Sequence, residues 1–190
     1  PTVDLVNDEA RSYLARTDER YDIIQISLID TWAATGAGAF ALTENSLYTV
    51  EGWELFLDRL QPGGILTVTR FLQTQDAEGK PTEPLETYRT VALASEVLHQ
   101  RGVTDPRQHV MIFSEPTGYA SVDLATVMVS PDPFTAANVA TLEARAADLG
   151  FGTVLTPDTA GNETIEALVV PGGPGPALDL VAADISPPTD

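Results

Sequence analysis

Two acidic corners raise the question of chemistry. Asp8 and Glu9 follow a short apolar run at Thr2–Val6, and Asp30 follows a longer one at Tyr21–Leu28 that carries Ser27 near its end. Ligands of open α/β sheets gather beyond the carboxyl ends of the strands, where these residues would lie. At the first corner a carboxylate can accept a hydrogen bond from an exocyclic amine such as adenine N6, while backbone N–H groups around Ala10 reach ring nitrogens. It can equally cap the helix that starts there. Asp30 opens a loop of alanines and glycines (Ala33-Ala34-Thr35-Gly36-Ala37-Gly38-Ala39), whose small side chains let backbone approach a ligand closely. Its carboxylate can orient or deprotonate an amine, or can close the strand as an Asx-turn. Trp32 and Tyr48 can stack on a base or wall a pocket, and plain packing is the alternative for each. Arg11, Glu44, Asn45 and Glu51 read as solvated surface, and His99 and His109 as structural residues.

Bulk composition narrows the partners. With 190 residues, 43% hydrophobic and 20% charged, the chain has the makings of one globular domain. Ten Lys+Arg against 28 Asp+Glu give a net charge of −18, which repels nucleic acid and attracts cationic substrates such as polyamines, or serves solubility alone. The absence of cysteine removes disulfides, thiol nucleophiles and thiolate metal sites, and two histidines do not furnish a multi-histidine metal site. No apolar run is long enough to span a bilayer, so the expectation is a cytoplasmic domain.

The elements that must position these residues follow from periodicity. A strand is expected at Thr2–Val6, a helix over about Asp8–Arg16 capped by Asn7 or Asp8, and a buried strand at Tyr21–Leu28. Val50, Trp53, Leu57 and Leu60 recur at helical spacing, with Pro62-Gly63-Gly64 expected to stop that helix before a strand at Ile65–Arg70. A helix over Leu85–Arg101 turns Tyr88, Val91, Ser95 and Leu98 inward and ends at Gly102; strands follow at Val110–Phe113 and Leu124–Val129. A helix at Thr135–Leu149 carries the stripe Val139, Leu142, Ala146 and Leu149, and short strands are expected near Thr153–Leu155 and Ala167–Val170. Residues 1–170 read as one domain and the Pro/Gly-rich 171–190 as an extended or loose tail. Strands alternating with helices predict an α/β fold with a mostly parallel sheet and antiparallel last strands.

The order of these motifs resembles the spermidine synthase-like proteins of the S-adenosylmethionine-dependent methyltransferase superfamily. The resemblance rests on Asn7-Asp8-Glu9-Ala10-Arg11-Ser12-Tyr13-Leu14, Tyr21-Asp22-Ile23-Ile24, Asp30-Thr31-Trp32-Ala33-Ala34-Thr35, Glu44-Asn45-Ser46-Leu47-Tyr48-Thr49 and Leu60-Gln61-Pro62-Gly63-Gly64-Ile65-Leu66. It covers residues 1 to about 70, continues more loosely through Ser130-Pro131-Asp132-Pro133-Phe134, and ends at Ser186-Pro187-Pro188-Thr189-Asp190. It is closest to large bacterial proteins that fuse such a domain to membrane-spanning segments, which implies a parent chain with a membrane anchor outside these residues.

What the resemblance implies is specific. The fold would be a Rossmann-like methyltransferase sheet of order 3-2-1-4-5-7-6, here lacking strands 1 and 2 and the glycine-rich turn between sheet and cofactor. Asp8, Glu9 and Ala10 would hold the adenine of S-adenosylmethionine or its decarboxylated form, Asp30 would act on an amine acceptor, and Tyr48 with Trp32 would shape the pocket. Ser27 falls where the family carries the first aspartate of its "DSxD" signature, and a serine has neither that charge nor a useful pKa without a neighbouring base. Expectations therefore divide between a transferase fragment with little activity alone and a non-catalytic ligand-binding or membrane-linked domain. A dinucleotide-dependent oxidoreductase on the same sheet is the third and weakest reading. An exposed edge on the Tyr21–Leu28 strand would be covered by a sliding first strand, by two copies pairing or swapping elements, or by a separate N-terminal piece, and self-association is the expectation.

Overall fold

A computed structural model describes residues 2–28, 46–76, 78–119 and 122–190. Helix α1 (Ala10–Arg16) leads to β1 (Tyr21–Ser27); α2 (Val50–Asp58) runs into β2 (Leu60–Gln73); α3 (Leu85–Gln100) precedes β3 (Val110–Tyr119) and β4 (Val122–Val129). Helix α4 (Ala136–Leu149), β5 (Gly152–Leu155) and α5 (Glu163–Leu168) follow, with 3-10 turns at Ser46–Tyr48, Pro106–His109 and Gly175–Leu180.

The five strands form one mixed sheet in the order β1-β2-β4-β3-β5. The α/β class and the succession 4-5-7-6 are those expected, with β5 added outside. The sheet is mixed, with the later strands antiparallel as expected: among the described strands β1–β2 is parallel, while β2–β4, β4–β3 and β3–β5 are antiparallel. The physical reason is connectivity. Two residues separate β3 from β4, which permits only a hairpin, whereas the parallel pair has room for α2 in its crossover.

One face of the sheet carries the main core. Leu66, Val68, Val110, Ile112, Val127 and Val129 point at α2 and α3, whose Trp53, Phe56, Val91, Val97 and Leu98 are at most 1% exposed. The inward stripe read on α3 (Tyr88, Val91, Ser95, Leu98) is buried throughout, and Gly102 at φ +81° ends the turn after it. On the other face Met111, Phe113, Phe134, Val139 and Ala146 form a smaller cluster under α4. Thr135 caps α4 in a capping box with Asn138, and Gly150 at φ +74° closes it. Leu149, expected in the α4 stripe, is 51% exposed.

Several boundaries correct the sequence reading. Residues 2–6 form no strand, because no neighbouring strand supplies a ladder; Val3, Leu5 and Val6 are exposed. Pro62-Gly63-Gly64 does not stop a helix but lies inside β2, where the register against β1 slips between Tyr21 and Ile23. Gly63 adopts φ +74°, and a Cβ on Gly64 would meet Gln61 O at 2.9 Å and Tyr21 O at 3.0 Å, so both positions demand glycine. Ser130-Pro131-Asp132 clamps this irregularity: Ser130 Oγ donates to Gly64 O at 3.0 Å and Asp132 Oδ2 accepts from Gly63 N at 2.7 Å.

Ala167–Val170 is not a strand; its start belongs to α5, capped by Asn162 Oδ1, which accepts from Ile165 N. The tail is packed rather than loose. Ala177, Val181 and Ile185 are buried in the main core, and Arg89 donates to Asp184 O from beneath. His109 Nδ1 lies 3.0 Å from Ser130 O, in keeping with a structural role.

Candidate functional site

The carboxyl ends of β1 and β2 make one rim, and its residues can be followed by hydrogen bonds. Helix α1 begins there. Its cap is Glu9 rather than Asn7 or Asp8: Glu9 Oε1 accepts from Arg11 N at 2.9 Å and Oε2 from Ser12 N at 2.7 Å. Those backbone N–H bonds hold the Glu9 carboxyl below its ordinary value of 4.5. Asp8 Oδ1 accepts from Glu9 N, and its other oxygen meets the Arg16 guanidinium. Ala10 is the first, exposed residue of α1. Both acidic side chains thus serve the helix start while remaining open to solvent.

Arg11 connects this corner to the next element. Its Nη1 donates to Ser46 O at 3.2 Å, and the guanidinium forks onto the carboxylate of Asp190. Asp190 N donates to Glu51 Oε2 at 3.0 Å and Val50 N to Pro188 O at 2.9 Å, so residues 188–190 strap α1 to the amino end of α2. Thr49 caps α2 through Gly52 N, and Trp53 Nε1 donates to Leu47 O at 3.1 Å, which fixes the Ser46–Tyr48 turn.

Tyr48, 2% exposed, leads from that turn into the sheet. Arg70, on β2 and 1% exposed, donates from Nη1 to the Tyr48 hydroxyl at 3.1 Å and stands 4.9 Å from its ring centroid. Arg70 Nη2 lies 3.2 Å from Glu86 Oε2 at the start of α3. Next to Arg70, Thr69 pairs in register with Ser27, and its Oγ1 lies 3.0 Å from Thr126 Oγ1. Beyond Ser27 the chain turns at Leu28, a non-glycine residue at φ +46° whose N donates to Thr69 O. A left-handed leucine is a local cost, and such costs concentrate where a backbone is held for a purpose.

Asp8, Glu9 and Ala10 are therefore linked through Arg11 to the Ser46–Tyr48 turn, whereas the Ser27 side chain, in register with Thr69, faces the other side of the sheet from Arg70 and Tyr48. Ser27 is exposed, whereas Tyr48 is sealed against Arg70, so its hydroxyl rather than its ring serves as the polar contact. Asp30 and Trp32 lie outside the described residues, as do Glu44 and Asn45. Arg70, Glu86, Leu28 and Asp190 are the rim residues the sequence reading missed. A usable signal existed for Arg70 alone: a single cation in the apolar stretch Ile65–Leu72 requires a buried partner. Among the described residues no cluster of His, Asp and Glu has the arrangement of a metal site, and no helix is long and apolar enough to cross a membrane.

The Glu9 cap gives a direct test. Glu9→Ala is expected to destabilise the protein by about 1 kcal/mol, the ordinary cost of losing a helix cap. Because the folded carboxyl titrates below its unfolded value, the cap's contribution is present above about pH 4.5 and is lost as pH falls through the lower, folded value. Urea titrations between neutral and acid pH should show the wild-type advantage over Glu9→Ala shrinking as pH falls below that point.

No family model matches the chain. Over 106 residues it is 30% identical to polyamine aminopropyltransferase 2 of Pseudomonas aeruginosa, a match covering 56% of this chain and 28% of that protein. Its structure is similar to that of a probable spermidine synthase from Corynebacterium glutamicum, with a TM-score of 0.51 at 18% identity, covering 96% of this chain and 52% of that one. The fold is thus spermidine synthase-like, and the chain spans about a quarter to a half of the length of these relatives.

Proposed function

We propose that this chain supplies one half of a spermidine synthase-like transferase site, in which the rim at the ends of β1 and β2 holds decarboxylated S-adenosylmethionine or S-adenosylmethionine beside an amine acceptor. The observation that carries the reading is the connected rim: the acidic start of α1 is tied through Arg11 to the Ser46–Tyr48 turn, and through Tyr48 and Arg70 to the strand that pairs with Ser27. The names of the two similar proteins refer to polyamine and spermidine chemistry, which the reading borrows as its substrate class.

The donor set suits the cofactor. Asp8 and Glu9 present exposed carboxylates, each oxygen with a second lone pair beyond its cap or ion-pair bond, for an exocyclic amine. A net charge of −18 favours a sulfonium and an ammonium over anionic ligands. The bound cofactor would bring a carbon already activated by its sulfonium, so the protein's task is alignment. Asp30, three residues beyond the end of β1 in sequence, is assigned to orient the acceptor amine and take its proton. Trp32 is assigned to the pocket wall, and Tyr48, buried against Arg70, to the packing beneath it.

Ser27 favours a second reading, a ligand-binding domain without catalysis, since a serine with no histidine nearby in sequence lacks the charge and pKa of a carboxylate. Calorimetric titration with the two cofactor forms separates the readings. Binding of the decarboxylated form alone supports aminopropyl transfer, binding of S-adenosylmethionine alone supports methyl transfer, and binding of neither refutes the transferase site. Asp30→Asn should abolish turnover in the transferase case while leaving cofactor affinity within about threefold, a change of only ~0.7 kcal/mol.

A further inference from the structure

Strand β2 carries a single charged residue, Arg70, and buries it between Val68 and Leu72 on the face turned to the main core. An apolar side chain there would continue the run Leu66, Val68, Leu72 and spare the cost of taking a guanidinium out of water. A buried ion pair is often no more stable than packed apolar residues of the same size, so stability alone does not account for the cation. Departures of this kind from an apolar core collect at functional sites. The place fits. Thr69 pairs with Ser27, so Arg70 stands level with the carboxyl end of β1. Its guanidinium joins two segments there: Nη1 donates to the Tyr48 hydroxyl at 3.1 Å just ahead of α2, and Nη2 lies 3.2 Å from Glu86 Oε2 in the first turn of α3.

We propose that Arg70 is a positioning residue for the transferase site, an inference that rests on the reading given above. It fixes the Ser46–Tyr48 turn against the start of α3, and the turn carries the acidic corner, because Arg11 donates to Ser46 O. Three consecutive residues are held from three sides: Ser46 by Arg11, Leu47 by the Trp53 indole and Tyr48 by Arg70. Arg11 and Trp53 reach the turn from helices, whereas Arg70 reaches it from the sheet and so fixes it relative to the strand ends. A guanidinium suits the role, since its planar fork directs separate N–H groups at Tyr48 and Glu86. An ammonium is a point charge without that fork. A side chain locked on two sides supplies the precision of about 0.5 Å that a binding site demands of its supports.

Hydrogen exchange and calorimetry on the whole chain test this. The double variant Arg70→Met/Glu86→Leu keeps an apolar core, so its urea midpoint should stay near that of wild type. Its Trp53 indole N–H, hydrogen-bonded to Leu47 O, should exchange about tenfold faster while the amides of β2 and β4 keep their protection. Of the two tryptophans, Trp32→Phe protein identifies the Trp53 signal. Whichever cofactor form binds wild type should bind the double variant about tenfold more weakly, and Arg70→Lys, with the charge but not the fork, should fall between. Tyr48→Phe removes only the hydroxyl and should speed the indole exchange in the same direction, which keeps the test open even where the double variant does not fold. Indole exchange unchanged in Tyr48→Phe would overturn the proposal. So would equal cofactor affinity in wild type and a stable double variant, and either result leaves the transferase reading standing. Wild-type protein that binds neither cofactor form sinks that reading and this inference with it.

Discussion

Glu86→Ala lowers the folding stability by about 1–3 kcal/mol, the cost of removing a charged hydrogen-bond partner from a buried guanidinium. The effect is this large because Arg70 is 1% exposed and cannot turn to water when its carboxylate is lost. The Tyr48 hydroxyl and ring stay in contact with the guanidinium. Removing the other partner should cost less. In Arg70→Met the Glu86 side chain, 23% exposed, can rehydrate, and the methionine fills much of the vacated volume. The double variant Arg70→Met/Glu86→Leu should return close to wild-type stability, since an apolar pair avoids desolvating two charges. Urea denaturation of the three variants checks the ordering; equal losses in both single variants would contradict it.

Trp53→Ala should cost about 3–5 kcal/mol, again read from urea midpoints. Trp53 is fully buried at the centre of α2, and its removal leaves a cavity between that helix and the main core. It also strips Leu47 O of its indole donor, so the Ser46–Tyr48 turn loses a tether as well as a floor. Trp53→Phe retains most of the volume but not the N–H and should recover more than half of the loss. The difference between the two variants isolates the tether, and ligand affinity should follow the turn rather than global stability.

Much of this architecture was legible because two periodicities were strong. The run Tyr21–Leu28 could only be a strand, and the spacing of Tyr88, Val91, Ser95 and Leu98 could only be a helix. Errors arose where local chemistry has two outcomes. Pro62-Gly63-Gly64 suits a helix stop and a strand irregularity alike, and only Tyr21 O and Asp132, distant in sequence, select the second. Ala167–Val170 is too short an apolar run to distinguish helix from strand, and the Asn162 cap decided it. The tail looked loose because its proline and glycine content is local information, whereas the burial of Val181 and Ile185 is not. At the site, the acidic start of α1 was legible as a helix cap, though Glu9 rather than Asn7 or Asp8 fills it. The Arg70–Glu86 pair spans two elements and 16 residues, and no periodicity links a strand cation to the second residue of a later helix.

Residues 188–190 hold α1 in place from the far end of the sequence, through Pro188 O on Val50 N and the Asp190 carboxylate on Arg11. Replacing Asp190 by alanine would leave the core intact and yet unfasten the helix that bears Glu9. Loss of the rim and loss of the fold would then be separate events, the variant keeping its melting behaviour while its acidic corner drifts.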